Sequence, residues 1–218
     1  MSKKVRKIER RFKVFCEGDT EYNYIDEMRK QHKYSIAIKP INMKGGGYSH
    51  FLDELKTDGN ANCLAKFIII DGDRAVNADE KPKLRELLEY CDLQNKSGRT
   101  PHIVVVNYPD FEYVACLHTE KYKGQDATQY IIKEMGYTDI EDFKADKKIY
   151  TVLTTKGNSV QRMLEALKNK ECFVVNSYKV NKRTYDISVK IIWDWEKFGR
   201  KGSNIKDFFD VIACLDNG

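Results

Sequence analysis

A mostly parallel α/β sheet flanked by helices is what this chain's pattern implies. Over the first 120 or so residues, strand-like and helix-like stretches alternate four times. The main strand stretches are continuous apolar runs, as expected of strands covered on both faces. After about residue 120 the alternation fades, and helices plus a β-hairpin are expected instead. The organisation that follows is a core over 10–120 and a C-terminal extension over 121–218, packed together as one unit.

The elements follow in order. Residues 12–16 form a short apolar strand, broken by Glu17 and Gly18. Asp19 or Thr20 can cap a helix over 21–33, whose first turn is acidic. Alternating apolar residues mark a second strand over 36–43. Lys44 and three glycines break it before a helix over 50–56. The strongest strand, 66–70, ends at Asp71. Pro82 suits the first turn of a helix reaching about residue 91. Residues 103–106 are a fourth apolar run, followed by a helix over 111–118. Helices are expected near 128–135 and 160–169. Runs over 172–180 and 185–193 suit a hairpin, and an amphipathic helix over 205–214 closes the chain.

The 218 residues suffice to bury a core without staples; 41% are hydrophobic and 33% charged. No apolar run approaches the roughly 18–20 residues a membrane span needs. The basic start, MSKKVRK, lacks the long apolar stretch of a signal peptide, so a cytoplasmic protein is expected. Cys16, Cys63, Cys91, Cys116, Cys172 and Cys214 form no zinc-like pairs and are expected to be reduced and structural. The net charge of +5 is compatible with nucleic acid without demonstrating it. Basic residues crowd both ends, from Lys3 to Lys13 and from Lys179 to Lys201.

Acids sit where such a sheet collects its chemistry, beyond the carboxyl ends of the strands. Glu17 follows the first strand, Asp71 and Asp73 the third, and Glu112 the fourth. Crowded carboxylates repel unless a cation neutralises them. An all-oxygen set suits Mg²⁺ or Mn²⁺ rather than zinc. Such a site handles phosphate chemistry, with one metal ion or with two about 3.5–4 Å apart. Asp19, Glu21 and Asp26 are read first as turn formers and caps. Gly72 is read as keeping the turn open for a ligand. Arg74 could meet a phosphate or neutralise the acids. Lys44 and its glycines make either an anion-binding nest or a plain turn. Trp193, Trp195 and Phe198 beside Arg200 and Lys201 suit base stacking and phosphate contact, or simply a packed core edge. His118 reads as a core histidine. No GxxxxGK[ST] stretch is present, so ATP use would need a partner ATPase.

Three stretches together resemble the RloB family. VFCEGDTEYNYI at 14–25 resembles its first motif, FIIIDGDR at 67–74 its acidic second motif, and YPDFEYVACLH at 108–118 its third. KGGGYSHFLDEL at 44–55 matches the place of a Gly-rich turn into a helix. The likeness covers about residues 10–120, in order. The family is similar to the TOPRIM domains of OLD-type nucleases, topoisomerases and primases, and is associated with phage defence. The resemblance therefore implies a TOPRIM-like fold. It implies metal binding by Asp71 and Asp73, and Glu17 as metal ligand or general acid/base. Glu112 matches the third motif's glutamate. Tyr108 and Val114 depart from that motif, which puts weight on the first two.

The expected activity is Mg²⁺- or Mn²⁺-dependent hydrolysis of phosphodiester bonds in DNA or RNA. Glu17, Asp71, Asp73 and Glu112 are its catalytic residues, and Arg74, Lys44, Arg200 and Lys201 its phosphate contacts. No membrane contact is expected, and a homodimer or a partner ATPase is compatible with the pattern. One rival is a haloacid-dehalogenase-like phosphatase with Asp71 as nucleophile, which Arg74-Ala75-Val76 after the acidic pair argues against. Another is a non-catalytic nucleic-acid-binding or regulatory subunit.

Overall fold

The computed structural model describes residues 10–216. The chain alternates β1 (Arg11–Cys16), α1 (Asp19–Gln31), β2 (Ala37–Asn42), α2 (Gly47–Thr57) and β3 (Cys63–Asp71). A 3₁₀ turn (Asp73–Val76), α3 (Glu80–Lys96), β4 (His102–Tyr108) and α4 (Phe111–Cys116) follow. Then come α5 (Ala127–Met135), α6 (Ile140–Ala145), α7 (Ile149–Thr154) and α8 (Val160–Leu167). The hairpin β5 (Val174–Asn181) and β6 (Asp186–Trp193), a 3₁₀ turn (Trp195–Lys197), β7 (Gly202–Ser203) and α9 (Lys206–Leu215) complete it.

The sheet order is β2-β1-β3-β4-β7, parallel except for β7, so the expected mostly parallel α/β architecture is present. β3 and β4 are apolar runs because both of their faces are covered. Phe67, Ile69, Ile103 and Val105 face α1, α4 to α9 and a small part of the hairpin. Ile68, Ile70, Val104 and Val106 face α2, α3 and most of the hairpin. No described helix is long and apolar enough to cross a membrane. All six cysteines are free.

Differences from the sequence reading have local causes. Helix α1 starts at Asp19 because Gly18 is its cap, with its N–H bonded to Glu21 Oε2 at 3.1 Å. The short helices α6 and α7 and the two-residue β7 have too few residues for a periodic signal. Lys13 is no surface cation: it pairs with Asp58 at 2.7 Å in a nearly buried position. Lys3, Lys4, Arg6 and Lys7 lie outside the described residues.

Candidate active site

After β1 the chain enters α1 on one face of the sheet, and after β3 it turns into α3 on the other. Adjacent strands that send their connections to opposite faces leave a crevice at their carboxyl ends. Glu17, immediately after β1, and Asp71, the last residue of β3, meet there. Glu17 Oε2 accepts the Asp71 N–H at 2.8 Å, and Glu17 Oε1 lies 3.7 Å from Arg74 Nη1. Arg74 also donates to the Gly45 carbonyl at 3.0 Å. Tyr48 donates its hydroxyl proton to the Asp71 carbonyl at 2.7 Å. Asp73 opens the 3₁₀ turn and is exposed.

Gly72 separates the two aspartates for a packing reason. A Cβ there would stand 2.8 Å from Tyr108 Cδ2. Its space is thus filled by a ring and not kept for a ligand, which corrects the sequence reading. Its N–H and that of Asp73 both reach the Pro109 carbonyl, at 3.1 and 3.0 Å, which ties the end of β3 to the end of β4.

The second wall joins α1 to α4. Thr20 Oγ1 donates to Glu112 Oε1 at 3.1 Å. Asp110 caps α4 by accepting the Tyr113 N–H at 2.8 Å. Deeper, Tyr24 and His118 Nε2 are 3.0 Å apart. His118 Nδ1 faces the Val114 and Ala115 carbonyls and so carries the proton, which leaves Nε2 to accept from Tyr24. Burial lowers His118 to about 4, as suits a neutral core histidine.

Six carboxylates converge here: Glu17, Glu21, Asp71, Asp73, Asp110 and Glu112. Burial raises Glu17, opposed by the Asp71 N–H and by Arg74, while Asp73 adds repulsion. Burial and then Glu112 push Glu21 up to about 8. Burial, followed by Glu21, Glu17, Glu112 and Asp110, raises Asp71 well above the usual carboxyl range. Burial and Asp110 raise Glu112 against the pull of Lys144 and Thr20. Only a few cations answer this charge. Lys144 is held up by Glu112, Glu141 and Asp71 although burial opposes it. Lys201 acts on Asp110.

Although Asp71 as a whole is half-exposed, its Oδ1 is sealed from solvent and has no hydrogen-bond partner. Asn107 is its register neighbour on β4. Asn107 Oδ1 accepts from Ser203 Oγ at 2.8 Å, and its buried Nδ2 is likewise unpartnered. Among the described residues, no three His, Cys, Asp or Glu side chains form a group able to hold a metal. The oxygen donors that could hold a hard cation are those of Asp71, Asp73 and Glu17. Mg²⁺ commonly takes one or two protein carboxylates and completes its shell with water and phosphate. Asp71 with an unmet Oδ1, beside Asp73 and Glu17, offers that much.

Other groups singled out from the sequence are engaged within the protein. The Lys44, Gly45 and Gly46 N–H groups are spent on Asn42 Oδ1, the Glu17 carbonyl and the Met43 carbonyl, so they form a turn and not an anion nest. Arg200 is paired with Glu171. Four residues went unread for this site: Glu21, Asp110, Lys144 and Asn107. Glu21 carried a signal, since it stands one turn after Glu17 on a helix starting at the same strand end. No family model matches the chain, and no curated protein or solved structure matches it significantly.

Proposed function

We propose that this chain is a divalent-metal-dependent nuclease that hydrolyses phosphodiester bonds in DNA or RNA from a TOPRIM-like crevice. One observation carries the reading: six carboxylates crowd the switch point with few cations, and the buried Asp71 Oδ1 has no partner. Such a surplus is costly unless a cation offsets it. The RloB-like motifs support the same reading, and by that resemblance alone the setting is defence against phage. Asp71 and Asp73 would hold Mg²⁺ or Mn²⁺, with Glu17 alongside. The ion, when bound, polarises the phosphate and lowers the pKa of water. Glu17 is oriented by the Asp71 N–H and can take a proton from the attacking water. Arg74, half-exposed above Glu17, can meet a phosphate oxygen. Glu21, whose carboxyl burial and then Glu112 push up, completes the acidic wall beside Glu17. Glu112, held by Thr20, adds negative charge and keeps α4 against α1. A homodimer or a partner ATPase is compatible with this chemistry.

The test is a cleavage assay on mixed DNA and RNA with Mn²⁺, comparing wild type with Glu17→Ala and Asp71→Ala after each is checked for folding. Wild type should cleave, and each variant should lose at least about a hundredfold, the scale of removing one preorganised charge-stabilising group. Equal cleavage by all three proteins would remove the proposed site. Nucleic acid bound in EDTA but never cut would instead mark a binding subunit. A phospho-aspartate trapped at Asp71 would mark a phosphatase.

A further inference from the structure

We propose that Tyr108, Phe198 and Trp195, together with Lys81 and Arg85, form the path along which a single-stranded nucleic acid reaches the acidic crevice. The inference rests on the nuclease reading and names its substrate class.

The path begins at the site itself. The Tyr108 ring packs on Gly72, between Asp71 and Asp73. Phe198 meets Tyr108 edge-on, with ring centroids 5.3 Å apart. Trp195 lies 5.8 Å beyond Phe198. All three rings are half-exposed. Their rear support is the buried Phe173, stacked on Trp195 at 5.5 Å and edge-on to Phe198 at 5.2 Å. The packed core edge and the exposed row are therefore two sides of one feature. Buried support fixes the rings, so little freedom is lost when a base stacks on them.

Cations line this row. Lys81 Nζ stands 4.9 Å from the Trp195 centroid and 5.2 Å from that of Phe198, and Arg85 Cζ 5.6 Å from Trp195. The rings hold both charges in place by cation–π attraction. Neither Lys81 nor Arg85 is ion-paired among the described residues, whereas nearby Lys197 and Arg200 are both taken by Glu171. Both cations line a shallow groove along the start of α3 and the residues before it, with Ala78, Pro82, Glu86 and Glu89. Lys201, next to the Gly202 that pairs with Tyr108, stands 5.8 Å over the Tyr113 ring. Positive charge interleaved with ring faces suits a strand whose bases are unstacked, because every base has a π-face and every linkage a phosphate. A duplex keeps its bases stacked inside and would meet only the cations. The row also gives the strand a direction, away from a crevice whose own acids would repel an unneutralised backbone.

The experiment measures binding of a labelled single-stranded DNA or RNA 12-mer and of the matching duplex to the full chain, in Ca²⁺ and in EDTA, with no cleavage needed. Wild type should prefer the single strand. Phe198→Ala should weaken single-strand binding about tenfold, the scale of losing one stacked base. Lys81→Glu combined with Arg85→Glu should weaken it by about tenfold or more and flatten its salt dependence. These two surface positions keep the test valid if Phe198→Ala fails to fold. Strong wild-type binding that neither change affects would overturn the path and leave the nuclease reading standing. Equal affinity for duplex, untouched by Phe198→Ala, would overturn the stacking. Wild type that binds no nucleic acid would overturn the path and the nuclease reading together, and wild type that captures only a second copy of this chain would assign the row to a dimer interface instead.

Discussion

Asp71 is the residue on which repulsion accumulates, and Glu21 is where it can be measured. Glu21 has an ordinary value near 4.5 and is pushed up to about 8 in the fold. Between those values the folded chain binds a proton that the unfolded chain releases, so stability falls as pH rises. Glu21 therefore contributes most below about 4.5, and the contribution is gone above about 8. Thermal melts in EDTA from pH 5 to 9 should show a falling melting temperature. Glu21→Gln keeps an oxygen for the Gly18 N–H and cannot ionise, so its slope should be flatter. An unchanged slope, or stability that climbs with pH, would remove Glu21 from the cluster. The sequence made Glu17, Asp71 and Asp73 legible because each stands at a strand end. It hid Glu21 behind a capping role that it also plays, through Gly18. Asn107 was hidden because it lies just past the apolar run over 103–106, and only the register with Asp71 gives it meaning.

At the scale of elements, the sheet has two poles. Acids collect at the carboxyl ends of β1 and β3, while Lys13 and Lys66 stand paired in register toward the opposite end. Two buried lysines side by side repel, and Asp58, just past α2, answers both at 2.7 and 2.9 Å. Burial pushes the Asp58 carboxyl up, and the two lysines more than reverse it. Asp58→Ala would leave Lys66, 1% exposed, without its counter-ion. The expected loss is about 3 kcal/mol in denaturant unfolding, as for breaking a buried pair. Mn²⁺ affinity should be unchanged, because the other pole is untouched. A loss below about 1 kcal/mol would mean that water reaches Lys66. Apolar runs made β1, β3 and β4 legible along with the helices between them, because burial on both faces writes a continuous signal. Lys66 inside that run carried no such signal: its partner lies on another element, and only folding brings them together. β7 was illegible for a related reason, since two residues held mainly by partners elsewhere leave no periodicity.

For the molecule as a whole, the question is whether the C-terminal extension stands apart from the sheet. Beyond its pairing with β7, the outer edge of β4 has no strand partner over Val104 and Val106. Two side chains of the extension stand in for one. Asn176 Oδ1 accepts the Val104 N–H at 3.2 Å, and its Nδ2 donates to the Val104 carbonyl at 2.9 Å. Asn204 Oδ1 accepts the Val106 N–H at 2.7 Å, and its Nδ2 also donates to the Val104 carbonyl at 2.8 Å. An amide mimics a strand's paired groups, so the edge is satisfied without offering a template to another chain. Asn176→Ala and Asn204→Ala should each cost about 1–3 kcal/mol, because each leaves buried backbone groups unpaired. Their effects should not add, since both amides share the Val104 carbonyl and also donate to Asp207. Removing residues 171–218 should expose the whole edge, along with the apolar faces of both core layers, and give aggregates on size exclusion. A truncated chain that stays monomeric and melts cooperatively would make residues 171–218 a separate unit. Full-length chain should instead unfold in one transition, because the amides that close the sheet and the rings beside the crevice belong to the same C-terminal segment.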